Sequence, residues 1–362
     1  MPATIRDVAL RAGVSTATVS RVLARIGSPR PETVAAVAAA VDELGYRPSG
    51  VARSLKLHTT RTLGLIVTDI QNPFFPELVR AVDDAATELG YTILLGSAAD
   101  DDERAMTYLD LMVDRRVDGI IVASSQLTER HWAWLVDAPI PVVVANAEPA
   151  GTSVPVVVTD NEAAGRAAVE HLVTLGHVRI GYVRGPDAYA ATGPRLAGFR
   201  SALAAAGLPA ASAPVGAGDG RENGGRRAAA GLLAAHPELT AIACYNDMTA
   251  IGAMRAVRAA GRRVPGDVSI VGCDDIAVAA WVDPPLTTVA QQKAAMGRMA
   301  VERLMALLGG GAAAAPDVVR LPVTVRVRES TAPPRDRPGR DGSADAEPAG
   351  GASRSDGAEV RS

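Results

Sequence analysis

From Thr62 onward, short apolar runs of this 362-residue chain alternate with longer alanine-rich segments of helical periodicity. The apolar runs have the length of strands and occupy residues 63–68, 91–95, 119–123, 142–145, 156–158, 180–183, 241–244 and 268–272. Strands that alternate with helices form parallel sheets with helices on both faces, because each helix returns the chain to the same edge. The pattern therefore predicts an α/β fold for this region, which is long enough for more than one domain.

The first 23 residues have a different pattern, that of two short helices joined by a tight turn. Thr4 and Asp7 have the spacing that satisfies free amides at a helix start, and Gly13 ends that helix. Ser15 can cap a second helix, which points Val19, Val22 and Leu23 inward and leaves Thr16, Ala17, Ser20 and Arg21 outside. A helix-turn-helix that exposes small side chains and an arginine suits the major groove of DNA.

A third helix is predicted to begin at Pro31, because proline is favoured at the first helical position, and to end at Gly45. Its apolar face is expected to hold Val34, Val37, Ala38, Val41 and Leu44. Residues 1–60 hold eight Lys/Arg and four Asp/Glu and so carry +4, which leaves -7 for the remainder of a chain with a net charge of -3. A basic N-terminal region, here called the head, on an acidic remainder is typical of a head that binds the phosphates of a nucleic acid.

The run TIRDVALRAGVSTATVSRVL resembles the N-terminus of the LacI-type (lactose/purine repressor) family of bacterial transcription regulators, and the resemblance continues to about residue 331. It implies a sequence-specific DNA-binding regulator, expected to be a repressor, that acts as a homodimer on a palindromic operator in double-stranded DNA. Residues 1–48 are then the DNA-binding domain. Its second helix is expected to read base edges with Thr16, Ala17 and Arg21 and to contact phosphates with Ser15, Thr18 and Ser20.

Residues 49–61 are expected to form a hinge helix and linker. The ARSLK run resembles the family's hinge helix, which implies that Leu55 inserts between base steps of the minor groove. Ala52, Arg53 and Lys56 are expected to lie along that groove. Ser49 departs from the family pattern, since many members carry an asparagine there.

Residues 62–331 resemble the family's two-lobed core, which is like a periplasmic binding protein and holds its effector between the lobes at the carboxyl ends of strands. Lobe one is expected to take residues 62–160 and a return near 290–320, and lobe two the part between with a last strand near 321–328. The effector-binding residues are expected to be Asp69, Phe74, Phe75, Asn146, Arg195, Asn246 and Asp274. Structural alternatives stay open: core packing for the phenylalanines, a salt bridge for Arg195, and helix caps for the neighbouring Asp247 and Asp275.

Carboxylates, amides and one guanidinium that converge on a cleft suit vicinal hydroxyls, so the expected effector is a sugar or sugar derivative. Gly220 stands where several relatives have an aromatic residue, and Tyr189 and Ala191 stand where purine-responsive relatives have polar contacts. Both departures argue against a purine. The direction of the response stays open, so the effector could release the repressor, act as a corepressor, or serve an activator.

Two other classes of protein are alternatives to the regulator. A solute-binding protein would account for the core but leaves the head unexplained, and a sugar-modifying enzyme would need to turn over a ligand of the cleft. The His and Cys spacings match no metal site, and no P-loop or nucleophile elbow occurs, so we expect no enzymatic activity, no metal and no cofactor.

The remaining expectations concern location and the C-terminus. The chain shows no export signal and no apolar run of about 18 residues, which predicts a cytoplasmic protein without membrane contact. Cys244 and Cys273 lie in apolar runs and are expected to be buried free thiols. Residues 332–362 are rich in Pro, Gly, Ala, Ser, Arg and Asp and are expected to form a disordered tail.

Overall fold

The computed structural model describes residues 3–23, 26–46, 59–148, 153–310 and 318–335. The predicted hinge residues Ala52, Arg53, Leu55 and Lys56 lie outside the described residues, as do residues 336–362 of the predicted tail. The described part comprises a helical head and a core with two sheets, which confirms the predicted α/β class and the two-lobed core.

Helices α1 (Ile5–Ala12), α2 (Thr16–Leu23) and α3 (Pro31–Leu44) form the head. The Thr4 amide donates to Asp7 Oδ2 at 2.8 Å, and this bond holds the pKa of the Asp7 carboxyl below its usual value. Gly13 ends α1 in the left-handed conformation, with a φ of 64°. The three helices share one small core, centred on Val8, Ala9, Val19, Val37 and Ala40.

The predicted inward face of α3 is wrong at two positions. Val34 and Ala38 are exposed, whereas Ala40 is buried beside Val37. The buried face is turned because α3 packs mainly against α1, which the apolar pattern of α3 alone does not specify.

The core contains both kinds of element in alternation. Its strands are β1 (Thr62–Val67), β2 (Thr92–Ser97), β3 (Gly119–Ala123), β4 (Val142–Ala145), β5 (Val156–Thr159), β6 (Ile180–Arg184), β7 (Val215–Ala217), β8 (Ala241–Cys244), β9 (Ser269–Asp274), β10 (Thr287–Ala290), β11 (Val318–Leu321) and β12 (Thr324–Arg326). Its α-helices are α4 (Phe74–Glu88), α5 (Asp102–Asp114), α6 (Glu129–Val136), α7 (Asn161–Thr174), α8 (Thr192–Ala205), α9 (Glu222–Ala235), α10 (Asp247–Ala259) and α11 (Lys293–Leu308), and a 3-10 helix spans Ala277–Ala280. Every strand-length run predicted from the sequence is a strand, with ends that match or are shifted by at most two residues.

Each sheet is the centre of one lobe. The sheet of lobe one is parallel throughout, in the order β11-β5-β4-β3-β1-β2. The sheet of lobe two has the order β12-β10-β9-β8-β6-β7 and is parallel except for β12, which runs antiparallel to β10. The chain passes between the lobes after β5, after β10 and after β11, so the carboxyl ends of both sheets meet at these crossings.

The packing inside lobe two depends on two close helix pairs. A side-chain carbon at Gly198 of α8 would lie 2.0 Å from the Glu162 carbonyl oxygen of α7, and one at Gly252 of α10 would lie 2.1 Å from the Glu222 carbonyl oxygen of α9. Because glycine has no such carbon, the two backbones of each pair can touch. Each helix pair therefore packs against the sheet as one closely joined unit.

The ordered chain extends beyond the predicted start of the tail. Ala332 donates its amide to Ser269 Oγ at 3.0 Å, and its carbonyl oxygen lies 2.9 Å from Nε2 of the buried His177. The predicted boundary at residue 331 is thus too early, because buried polar groups of lobe two use the following backbone as their hydrogen-bond partner. Both cysteines are buried free thiols, as predicted.

Candidate functional site

A cavity of about 230 Å³ lies between the lobes at the carboxyl ends of their strands. Lobe one contributes Thr68, Asp69, Gln71, Asn72, Phe75, Asp100 and Ser125, and lobe two contributes Tyr189, Gly220, Arg221, Glu222, Asn223 and Met248. Polar side chains predominate, with two aromatic rings, those of Phe75 and Tyr189, and one thioether among them. The cavity is smaller than a site for a drug-sized ligand, which indicates a small polar ligand.

Arg221 connects the two lobes across this cavity. Its Nη2 lies 2.7 Å from Asp69 Oδ2 and 2.7 Å from Asp100 Oδ2, both of lobe one. The hydroxyl of Tyr189 donates to Asp100 Oδ1 at 2.8 Å. We call these four residues the interlobe latch. The bond to Asp100 raises the pKa of the Arg221 guanidinium above its usual value, so Arg221 stays charged.

A second cavity, of about 540 Å³, opens on the other side of the same cleft. It is lined by Asn146, Glu148, Val158, Thr159, Asp160, Asn161, Glu162, Ala190, Pro194 and Arg320. The adjacent residues Tyr189 and Ala190 line different cavities, and the Ala190 amide donates to the Ser125 carbonyl oxygen at 2.9 Å. The segment around Ala190 thus divides the cleft where it meets lobe one.

A buried polar cluster lies in lobe two next to the crossings. The Arg195 guanidinium donates to Asn161 Oδ1 at 2.9 Å and to the Tyr245 carbonyl oxygen at 2.6 Å, and it lies 3.9 Å from Asp274 Oδ1. Gln291 donates to Asp274 Oδ1 at 2.6 Å. Burial raises the pKa of the Asp274 carboxyl, against the opposing effect of Arg195. Arg195 and Asp274 are both almost fully buried and line neither of the two cavities, so the structure places these two predicted effector residues in a buried ion pair beside the cleft.

Asn246, expected to bind the effector, is the helix cap that was considered for Asp247, and neither residue lines the two cavities. Asn246 caps α10, since its Oδ1 accepts from the Thr249 amide at 2.9 Å, while its Nδ2 donates to the Gly220 carbonyl oxygen at 2.9 Å. Asp247 does not cap the helix that it begins: its carboxylate accepts from the Ile276 amide at 3.0 Å and from the Thr288 hydroxyl. Asp275 is no helix cap either, because its carboxylate pairs with Arg328 at 2.6 Å.

The structure brings only some of the predicted effector residues to the cavities. Asp69 and Phe75 line the smaller cavity, and Asn146 lines the larger one. Phe74 packs into the core of lobe one, with its ring centroid 5.3 Å from that of Phe75. Both phenylalanines lie at the start of α4 and not in a loop, because Pro73 already has helical backbone angles.

Backbone conformation is a second sign that this edge of the sheets is functional. Ala99 and Asp100 after β2, Asn146 after β4, and Asp274 and Asp275 at the end of β9 all have positive φ without being glycine. Such conformations are unfavourable for residues with a side chain and concentrate at binding sites. Two of the predicted residues, Asn146 and Asp274, are in this set.

Sequence reasoning missed Arg221, Asp100 and Gln291. Arg221 follows Gly220, whose φ of 75° marks a turn, and it directly precedes α9. A charged residue between a turn glycine and the start of a helix is the sequence pattern from which Arg221 could have been predicted. Gly220 lines the cavity, and a side-chain carbon there would lie 3.3 Å from the Tyr189 ring, so Tyr189 fills part of the space that an aromatic residue at 220 would need.

The head presents the predicted reading surface on α2. Thr16, Ala17 and Arg21 are exposed, and Thr18 and Ser20 are partly exposed. Ser15 caps the helix, since its hydroxyl accepts from the Thr18 amide at 3.1 Å. Arg21 Nε donates to the Ala17 carbonyl oxygen at 3.4 Å, which lays the side chain along the exposed face.

Within the described residues, no three His, Cys, Asp or Glu side chains are grouped as a metal site would need. None of the helices that the structure describes combines the length and the apolar composition needed to cross a membrane.

Comparison with known proteins covers most of the chain. Residues 4–49 match the model of the bacterial regulatory proteins of the lacI family, and residues 60–329 match that of the periplasmic binding proteins and sugar binding domain of the LacI family. The HTH-type transcriptional repressor PurR of Aliivibrio salmonicida is 37% identical over 304 residues, which are 84% of this chain and 91% of that protein.

Two solved structures are similar along nearly the whole length. One is the lac repressor dimer bound to operator and the anti-inducer ONPF, with a TM-score of 0.83 and 29% identity over 92% of this chain and 100% of that one. The other is a complex of the transcriptional regulator CelR with cellobiose, with a TM-score of 0.70 and 33% identity over 91% of this chain and 99% of that one.

Proposed function

Because the chain belongs to the LacI family of bacterial regulatory proteins, we propose that it is a DNA-binding transcriptional repressor whose operator affinity is set by a small molecule bound between its lobes. The observation that carries this proposal is the joining of an exposed recognition helix and a polar interlobe cavity in one chain. The PurR relative is named a repressor, and the lac repressor structure contains an operator.

In this proposal α2 enters the major groove. Arg21 reads a guanine through two hydrogen bonds, Thr16 and Ala17 contact neighbouring bases, and the hydroxyls of Ser15, Thr18 and Ser20 bind phosphates. The exposure of these residues on one helix supports the assignment.

The minor-groove contacts belong to Ala52, Arg53, Leu55 and Lys56, with Leu55 as the wedge that kinks the operator. Leu55→Ala should reduce both specific affinity and DNA bending and leave effector affinity intact. Equal bending by the variant and the wild type would contradict the wedge.

The effector is a neutral sugar or sugar derivative. Carboxylates of the smaller cavity can accept hydrogen bonds from hydroxyl groups, its amide side chains can both donate and accept, and the Phe75 ring offers an apolar face for a sugar ring. Among the described lining residues, Asp69, Asp100 and Glu222 outnumber the single guanidinium of Arg221, so a phosphorylated sugar would meet net negative charge. The CelR structure contains cellobiose.

A purine is the second candidate for the effector. The hydroxyl of Tyr189 lies in the cavity, so a polar group is present at one of the positions that argued against a purine. Its bond to Asp100 can be exchanged for a bond to a base edge.

The working molecule is a homodimer in the cytoplasm, and it is not an enzyme. Exposed apolar side chains on both lobes support self-association: Trp281 of lobe two is 77% exposed, and Ile70 of lobe one is 50% exposed. A two-fold dimer places two heads on the two half-sites of a palindrome. The lac repressor structure is described as a dimer.

The deciding experiment selects binding sequences from random duplexes with the purified chain and repeats the selection with D-glucose, D-ribose, cellobiose, glucose 6-phosphate, hypoxanthine and guanine. We expect a palindromic motif whose enrichment one neutral sugar changes. Enrichment that only a purine changes would assign the second candidate. Absence of any enriched sequence, with a sugar still bound, would favour a solute-binding protein, and chemical conversion of the bound sugar would indicate an enzyme.

A further inference from the structure

Asp118 holds the segment by which the chain enters the core. Its carboxylate accepts from the Thr59 hydroxyl at 2.7 Å, from the Thr60 amide at 2.7 Å, from the Thr60 hydroxyl at 2.9 Å and from the Arg61 amide at 2.9 Å. We call Thr59, Thr60, Arg61 and Asp118 the linker anchor. Bonds to an ionised acceptor are stronger than bonds between neutral groups, so these four together hold residues 59–61 in one conformation.

The linker anchor is reinforced on both sides. The Thr60 hydroxyl lies 2.9 Å from the Arg116 carbonyl oxygen as well as from Asp118 Oδ1, so its single proton is shared between these two acceptors. Arg61 donates from Nη1 to the Leu89 carbonyl oxygen at 3.2 Å, and its guanidinium lies 5.3 Å from the centre of the Tyr91 ring. Residues 59–61 are therefore bound to the loops before β2 and before β3.

The two strands that begin at the linker anchor end at the interlobe cleft. Strand β1 follows Arg61 and leads to Thr68 and Asp69, and β3 follows Asp118 and leads to Ser124 and Ser125. The strands are paired along their length, and β3 is buried throughout. At their far end the Ser125 amide donates to Thr68 Oγ1 at 2.7 Å, and the Ser125 carbonyl oxygen accepts from Ala190 of lobe two. Residues 59–61 are thus joined through paired strands to the part of lobe one that faces the cleft.

We propose that Asp118 is a positioning residue: by fixing residues 59–61 on lobe one, it sets the direction in which the chain leaves toward the head and so the affinity for the operator. The expected effect on operator affinity rests on the proposed function, whereas the hydrogen bonds of the linker anchor do not depend on it. Without the anchor, the chain leaves lobe one in many directions, and operator binding must select one of them at a cost in conformational entropy.

The test replaces Asp118 by asparagine in the full chain, with Asp114→Asn as the matched control. Asp114 is an exposed acid at the end of α5, on the same lobe and of the same charge. The rate of hydrogen exchange at the Thr60 and Arg61 amides reports whether their bonds to residue 118 are intact. The Kd for the duplex selected by the wild type reports the effect of the linker anchor on operator affinity. The melting temperature of the core reports whether the fold is intact.

For Asp118→Asn we expect at least about tenfold faster exchange at these two amides and a Kd raised about tenfold, which corresponds to about 1.4 kcal/mol. Asp114→Asn should change neither. Unchanged exchange, or faster exchange with an unchanged Kd, would overturn the proposal. If the wild type selects no duplex, the proposed function is wrong, and the hydrogen-exchange rates still test whether Asp118 holds residues 59–61.

A second variant covers the case in which Asp118→Asn does not fold. Thr60→Val removes one hydroxyl donor and keeps both amide bonds to the carboxylate. It should raise the Kd by a smaller factor, about threefold, with an intact core. A Kd equal to that of the wild type would overturn the positioning role.

Discussion

Arg221 of lobe two lies 2.7 Å from Asp69 of lobe one, although 152 residues separate them in the chain. The same nitrogen also lies 2.7 Å from Asp100, so one guanidinium bridges two carboxylates that face the cavity. The Arg221 side chain is 50% exposed, and an ion pair with that much water contact contributes roughly 0.2–1 kcal/mol. The interlobe latch is therefore weak enough for a ligand to compete with it.

Arg221→Gln should shift the lobes toward a more open arrangement in the absence of ligand. Loss of about 1 kcal/mol changes the ratio of closed to open molecules about fivefold. Small-angle X-ray scattering should then give a larger radius of gyration than that of the wild type. Arg227→Gln is the control, because Arg227 pairs with Asp219 inside lobe two. Equal scattering by the wild type and both variants would show that Arg221 does not hold the lobes together.

Gly198→Ala should destabilise the core by about 1–3 kcal/mol, because the new carbon would lie 2.0 Å from the Glu162 carbonyl oxygen and α8 would have to move away from α7. Gly193 lies in the same helix with no atom within 4 Å of a new carbon, so Gly193→Ala should be neutral or stabilising by roughly 0.4–1 kcal/mol. Urea unfolding followed by circular dichroism at 222 nm measures both, since the helices of the core give most of that signal. Equal stabilities of the two variants would refute the close approach.

The free energy of unfolding should fall as pH rises from about 4 toward neutrality. Burial, and then the charge of Asp274, raise the pKa of Asp247 above its ordinary 3.8, and burial raises that of Asp274. The unfolded chain loses these protons first, so unfolding releases protons and becomes easier as pH rises. Burial lowers the pKa of His171 and His177, so their part of the free energy of unfolding rises with pH and opposes this decline. Asp247→Asn should make the decline shallower, and comparison with the wild type cancels the contribution of the two histidines.

Asp267 supplies the control for that titration. Its side-chain hydrogen bond with Arg263 lowers the pKa of Asp267, so its contribution to stability is present above pH 3.8 and is lost as pH falls further. Asp267→Asn should therefore leave the slope between pH 4 and pH 7 as in the wild type. If Asp247→Asn shows the same slope of unfolding free energy against pH as the wild type, the buried Asp247 carboxyl is not the source of that slope.

Arg21→Ala should weaken binding to the preferred operator by about 1–3 kcal/mol and relax the preference at one base pair, because Arg21 is exposed on the recognition helix and can bind a guanine twice. Binding to a panel of single-base operator variants measures this. A loss that is the same for every sequence, with a smaller salt dependence, would assign Arg21 to a phosphate.

The sequence by itself determined the elements whose causes are local. The cap at Thr4, the turn at Gly13 and the apolar faces of α1 and α2 depend on residues a few positions apart, and the strands of the core were visible as apolar runs. The amide and carboxylate residues at strand ends could be placed at one edge, because parallel strands end on the same side of a sheet. Resemblance to a family then supplied the two lobes.

Only the tertiary structure decided which side chains meet. Arg221 with Asp69, Arg195 with Asp274, and Asp118 with Thr59 join positions far apart in the chain, and no local pattern encodes such pairs. Phe74 and Phe75 are adjacent and alike, yet only Phe75 lines the smaller cavity, because successive residues of a helix point about 100° apart. Local preferences act within one element, whereas the partners of a charged or aromatic side chain depend on how the elements pack.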